Sequence, residues 1–162
     1  MMTLFNWILL VCWLRFMFGA STDAMSAGHT SHFLFPLLRW LDPGISAEAM
    51  DRIHFILRKG AHLTEYAILY LLSWRAFNGD GTSGRWNGKK AAAAFLFVAL
   101  FAASDEFHQS FVPSREASVR DVALDIGGAL TALLCIWLAK GYKQGVAVAN
   151  ENPDDPQAHK SA

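Results

Sequence analysis

The strongest constraint on this chain is a series of apolar blocks near the length of a bilayer crossing, each with ionisable residues gathered toward one end. A helix needs about 20 mostly apolar residues to span hydrocarbon. Residues 4–20, 60–77, 91–112 and 122–140 come close, the first interrupted by Arg15 and the third reaching full length only by continuing to Val112. The blocks predict an all-α integral membrane bundle of four transmembrane helices. Apolar residues make up 53% of the 162 positions, above the roughly 45–50% of soluble domains, but their grouping into blocks says more than their total. A formal net charge of zero leaves no basic footprint for nucleic acid. Cys12 and Cys135 fall inside apolar blocks and read as buried small hydrophobes, without the polar setting of a disulfide or metal site.

The first block has no basic residues ahead of it, and Phe18 stands where a small residue would precede a cut after Ala20. It therefore reads as a retained span rather than a leader. Arg75, Arg85, Lys89 and Lys90 flank the connection between the second and third spans, and Lys140 and Lys143 follow the fourth. Basic residues collect on the cytoplasmic side, which puts both termini inside and residues 21–59 and 104–121 outside. Arg39, Arg52, Arg58, Lys59, Arg115 and Arg120 fall on that outer side and run against the bias. Within 21–59, "HFLFPLLRWL" is too short to span and predicts an interfacial or re-entrant helical segment after the first span. The "DPG" at 42–44 makes a turn. Ser46 then caps a helix with Glu48 in its first turn, and that helix is free to run on into the second span. Residues 1–144 make one membrane domain. Residues 145–162, with Glu151, Asp154 and Asp155 among Pro, Asn and Gln, read as a disordered cytoplasmic tail.

The polar residues follow helical spacing. Lys59, His62 and Glu65 are three and three apart, neighbours along one helix face, and Tyr66 is four from His62. Asp105 is three from His108 and four from Gln109, Glu106 is four from Ser110, and Asp121 is four from Asp125. Gly127 and Gly128 follow, small enough to admit a neighbouring helix. These groups lie at one end of their helices and share one depth in the outer leaflet. An unpaired Asp or Lys costs roughly 2.5–3.5 kcal/mol at mid-helix. Glu65, Asp105, Glu106 and Asp125 are therefore expected to face inward and pair with Lys59, Arg115, Arg120 or His62, and groups of this kind are functional candidates. In "VPSRE", Pro113 and Ser114 make a turn that aims Arg115 over the helix ends, where its guanidinium fork suits phosphate or carboxylate. Glu116, His29, His32 and His54 read as solvated or interfacial. The set forms the lip of a polar pocket closed by the second, third and fourth spans.

At these residues the chain resembles the VanZ-like family of small bacterial integral membrane proteins. The resemblance covers residues 58–134 and rests on "KGAHLTEYAILYLL" followed by "SDEFHQSFVPSREASVRDVALDIGGAL". It carries over Lys59, His62, Glu65, Tyr66, Asp105, Glu106, Gln109, Pro113, Arg115, Asp121 and Gly127. Ser114 stands where the family commonly has Gly, and Asp125 where it commonly has Asn. The founding member is linked to low-level teicoplanin resistance. The resemblance thus implies a multi-pass protein of the bacterial cytoplasmic membrane, connected with the cell envelope and with antibiotic resistance.

Three functions fit. In the first, the protein binds or processes a membrane lipid or a lipid-linked, anionic envelope precursor. His62, Glu65, Asp105, Glu106 and Asp121 are its acid–base groups, Glu65 orienting the His62 imidazole, while Lys59, Tyr66, Gln109, Arg115 and Asp125 hold the substrate. In the second it is a non-enzymatic scaffold or accessory subunit, since no nucleophilic serine motif is visible. In the third, His62, Glu65, Asp105, Glu106, His108 and Asp121 supply N and O ligands to a divalent metal for hydrolysis, although no H-E-x-x-H occurs. Apart from that metal, no cofactor is expected.

Overall fold

The computed structural model describes residues 2–21, 27–79, 86–112 and 118–151. It contains α1 (Met2–Ala20), α2 (Ala27–Leu41), α3 (Ala47–Asn78), α4 (Gly88–Gln109) and α5 (Val119–Glu151), with no strand among the described residues. The stretches Thr3–Ala20, Gly88–Gln109 and Val119–Lys140 are long and apolar enough to cross a membrane, matching three of the four expected spans. The fourth block, residues 60–77, lies in the second half of α3 and does not join them on hydropathy. The reason is packing. α3 is the hub of the bundle, in contact with α1, α2, α4 and α5, and a helix walled by its neighbours can carry inward-facing polar groups.

Pairwise contacts fix the directions of the helices. Trp7 meets Phe77, ring centroids 5.7 Å apart, while Trp13 lies against Glu65, so α1 runs antiparallel to α3. Tyr66 meets Phe101 and Tyr70 meets Phe95, so α4 is antiparallel too. Lys59 pairs with Asp121 and His62 with Asp125, which makes α5 parallel to α3.

The core is built large against small. Tyr66, Leu69 and Tyr70 of α3 meet Ala94, Val98 and Ala102 of α4 and Ala129 and Ala132 of α5, with Leu10 and Met17 of α1 closing one side. Small residues on two helices let the tyrosine-bearing helix sit close to both. Leu4, Ile8, Val11, Leu96, Leu100, Leu134 and Leu138 point outward and are exposed, a surface suited to hydrocarbon. Cys12 and Cys135 are exposed as well, not buried as their apolar surroundings suggested. An apolar neighbourhood in a membrane helix does not separate lipid-facing from core positions.

Local signals set the helix ends. Ser46 Oγ accepts a hydrogen bond from the Ala49 N–H at 3.2 Å, and Glu48 occupies the first turn of α3. Asp42 Oδ1 accepts from the Gly44 N–H at 3.0 Å in the turn before it. α3 then runs unbroken for 32 residues through the 60–77 block and stops at Gly79, whose φ of 63° is costly for other residues. The "HFLFPLLRWL" stretch is helical within α2, with Pro36 inside the helix. α5 continues to Glu151, past the domain boundary drawn after 144.

Candidate functional site

α3 and α5 come into backbone contact at Gly128. A Cβ there would lie 2.2 Å from the carbonyl oxygen of Leu63 and 3.0 Å from its carbonyl carbon. Leu63 follows His62, and Gly128 is three residues beyond Asp125, so this backbone contact sets the spacing of the charged pairs beside it. Lys59 Nζ donates to Asp121 Oδ1. One turn along, His62 Nδ1 lies 3.3 Å from Asp125 Oδ1. A further turn along, Tyr66 turns to α4, its hydroxyl donating to Asp105 Oδ2 at 3.4 Å, while Gln109 Nε2 donates to the same oxygen at 2.9 Å. Glu106 Oε2 accepts from the Ser118 N–H at 2.8 Å, just ahead of α5. A carboxylate there meets the unsatisfied N–H groups and positive end of a helix.

Asp105, Glu106 and Asp125 are all buried, Asp125 with no exposed surface. Of these three, only Asp125 meets one of the cationic partners expected for the set among the described residues, His62. Asp105 is held by Tyr66 and Gln109, and Glu106 by the Ser118 N–H. The faces divide differently from the sequence spacing. His62 and Glu65 line a cleft, whereas Lys59 turns aside to Asp121. The cleft is walled by Met17, Ala20 and Ser21 at the end of α1, Thr30 of α2, Arg58, Ala61, His62 and Glu65 of α3, and Asp105 and Gln109 of α4. α1, which carries no motif, is thus a wall of the site, and Trp13 Nε1 ties it to the Glu65 carbonyl at 3.2 Å. Sequence reasoning missed Arg58. The signal was there: Arg58, His62 and Glu65 are four and three apart, as good a face as the one starting at Lys59. Pro113, Ser114 and Arg115 lie outside the described residues.

A family model described as VanZ/LLP1 matches residues 5–140. The chain belongs to the VanZ/LLP1 family. Neither the curated proteins nor the solved structures compared with it give a match. The family region takes in α1 to α4 almost entirely and the apolar part of α5, and so every residue of the cleft.

In this VanZ/LLP1 chain the donors proposed for a metal are dispersed. His62 goes to Asp125, Asp121 to Lys59 and Glu106 to Ser118. The His108 ring lies against Phe18, with centroids 4.8 Å apart. Among the described residues no group of three or more His, Cys, Asp or Glu gathers as a metal cage would require.

The Tyr66–Asp105 contact is long for a hydrogen bond. Interhelical hydrogen bonds in membranes average about 0.6 kcal/mol. Tyr66→Phe is accordingly expected to lower unfolding stability in detergent by about that amount. A loss beyond about 1.7 kcal/mol, the largest seen for such bonds, would show that the hydroxyl does more than join α3 to α4.

Proposed function

We propose that this VanZ/LLP1 protein holds the anionic head group of a membrane lipid or lipid-linked envelope precursor in the cleft between α1, α2, α3 and α4. The observation that supports this best is Arg58. It lines the cleft beside His62 and Gln109 and has no ion pair to any described residue. A guanidinium at the polar end of a bundle otherwise faced with apolar side chains is suited to phosphate or carboxylate. Arg115, which follows α4 in the sequence, is a second guanidinium suited to phosphate or carboxylate.

In this reading α3 is a fourth crossing, because it runs antiparallel to α1 and α4 and parallel to α5. Both termini are cytoplasmic, and the cleft opens in the outer leaflet of a bacterial cytoplasmic membrane. α2 rests in the interface. Phe33, Leu37 and Trp40 are four and three apart and all exposed, a stripe fit for the boundary between head groups and acyl chains. A precursor held in this way meets a glycopeptide antibiotic differently, which would connect the cleft with teicoplanin susceptibility.

The test is a titration of purified protein in zwitterionic nanodiscs with lipid-linked cell-wall precursor, followed by tryptophan fluorescence, since Trp13 is hydrogen-bonded to the backbone of the cleft residue Glu65. Saturable binding is expected. A hydrogen bond to a charged group is worth about 1.5–3 kcal/mol, so Arg58→Gln should bind at least about tenfold more weakly. No saturable binding, or equal binding by a well-folded Arg58→Gln variant, would sink the reading and favour a scaffold without a ligand.

A further inference from the structure

We infer that His62 grips the same head-group phosphate as Arg58, through an Nε2–H that the buried Asp125 keeps in place, and that binding the anion is therefore coupled to holding a proton. This rests on the head-group reading and deepens it by supplying a second donor.

Arg58 and His62 lie one turn apart on α3, neighbours on one face, and both line the cleft. The His62 side chain is 18% accessible although its Nδ1 is buried. Its accessible edge is therefore the one that carries Nε2. Nδ1 lies 3.3 Å from Oδ1 of Asp125, a side chain with no exposed surface and with no hydrogen-bond partner at either oxygen among the described residues. An ionised Asp125 beside a neutral ring would leave one uncompensated charge in this enclosed place, the costliest arrangement for a buried carboxylate. One further proton removes that charge, and it has two places to sit. On the ring it makes an imidazolium, with Nδ1–H toward Oδ1 and Nε2–H toward the cleft. On the carboxyl it donates to Nδ1, which leaves the ring's own hydrogen on Nε2. Both arrangements put a donor at Nε2.

The other charged groups around the ring are consistent with that donor. On α3, Glu65 lines the cleft and has an interaction of its own, and Lys59 pairs with Asp121 of α5. On α4, Asp105 accepts from Tyr66 and Gln109, Glu106 accepts from the Ser118 N–H, and the His108 ring lies against Phe18. α1 and α2 bring no ionisable side chain to the lining, only the hydroxyls of Ser21 and Thr30, with His54 Nε2 3.0 Å from Thr30 Oγ1. Glu65, Asp121 and Asp125 all lie within electrostatic reach of the His62 ring, and their negative charge holds the extra proton on the pair. A phosphate between Arg58 and His62 thus meets a guanidinium fork and an N–H, and the bonds from such charged donors are the strong ones.

The experiment titrates phosphatidylglycerol into the protein in phosphatidylcholine nanodiscs from about pH 6 to about pH 9, across the ordinary range of histidine, with retained lipid counted by mass spectrometry. The phosphodiester keeps its single charge throughout, so a pH dependence belongs to the protein. Retention should weaken at least about tenfold toward the alkaline end, the worth of one hydrogen bond to a charged group, because the donor leaves with the proton. His54→Gln should keep this dependence. His62→Gln combined with Asp125→Asn, a neutral pair, should lose it. Retention that depends on Arg58 but not on pH, a dependence that survives in the double variant, or no phosphatidylglycerol retained while the cell-wall precursor binds, overturns the inference and leaves the head-group reading intact. If neither the lipid nor the precursor binds at any pH, the reading falls and the inference with it. Glycerol phosphate is the soluble arm. Displacement of the lipid with the same pH dependence supports the grip on phosphate, displacement without it overturns that grip, and no displacement while the lipid keeps its dependence assigns the site to the lipid alone. A further measurement needs no ligand. In ¹⁵N-histidine protein at about pH 7, inside the range where histidines ordinarily titrate, His62 should carry a hydrogen at Nε2, its signal assigned by loss in the double variant. A bare Nε2 overturns the proposal.

Discussion

Gly128→Ala is expected to remove much of the folded protein from the membrane, while Gly127→Ala, one residue earlier, leaves it unchanged or more stable. The added methyl at 128 would meet the Leu63 carbonyl at 2.2 Å. That neighbour is backbone inside a helix and cannot rotate aside, so α3 and α5 must part. Overpacking costs typically about 1–3 kcal/mol and sometimes more, and a backbone clash belongs at the upper end. The helix-propensity gain of Ala over Gly, about 1 kcal/mol, offsets only part of it. At Gly127 nothing lies within 4 Å of the added carbon, so only the gain applies. Parting the helices also pulls Asp125 from His62 and Asp121 from Lys59, so a surviving Gly128→Ala protein should lose binding as well. Folded yield and unfolding midpoint in detergent measure the contrast. Equal behaviour of the two variants would mean that the close approach is not what joins α3 to α5.

That pair of glycines also shows what the sequence could and could not say. A small-residue stripe after Asp125 was legible, and the family resemblance pointed at Gly127. Helical spacing points elsewhere: Asp125, Gly128, Ala129 and Ala132 are all buried, at steps of three, four and seven from Asp125, and so form the stripe turned inward. The α1, α4 and α5 spans were legible because lipid faces most of their surface, which leaves them apolar nearly all round. α3 was legible as a helix, from the Ser46 cap and its long run, but hydropathy could not decide whether it crosses. Its neighbours, not lipid, surround it, and its polar residues sit among them. The polar cluster was legible because a span tolerates buried charge only in company. Spacing within one helix names a face, not the residue opposite. Glu65 was the nearest carboxylate to His62 in sequence, yet Asp125, 63 positions away on a parallel helix, is the one at its Nδ1. Which residues meet depends on the register between α3 and α5, and Gly128 sets that register.

The other large effect concerns the His62–Asp125 pair, and it should be asymmetric. His62→Leu strands a carboxylate with no exposed surface and no hydrogen-bond donor. Removing one partner of a buried charged pair costs about 3–5 kcal/mol. Asp125→Leu strands only an imidazole, which can remain neutral and whose other edge reaches the cleft, so the loss should be nearer the about 1–3 kcal/mol of one unsatisfied polar group. The double variant carries two apolar groups where two polar ones stood and should be more stable than His62→Leu alone, since a buried pair exchanged for well-packed hydrophobes is often neutral. Lys59→Met is the control. The Lys59–Asp121 pair is partly exposed, with side chains 30% and 21% accessible, and exposed pairs contribute about 0–1 kcal/mol. Reversible unfolding in bicelles gives the four free energies, and the double-mutant cycle isolates the coupling. Additive losses would mean that His62 and Asp125 are neighbours without interaction. Asp125 would then not orient the His62 ring at the cleft.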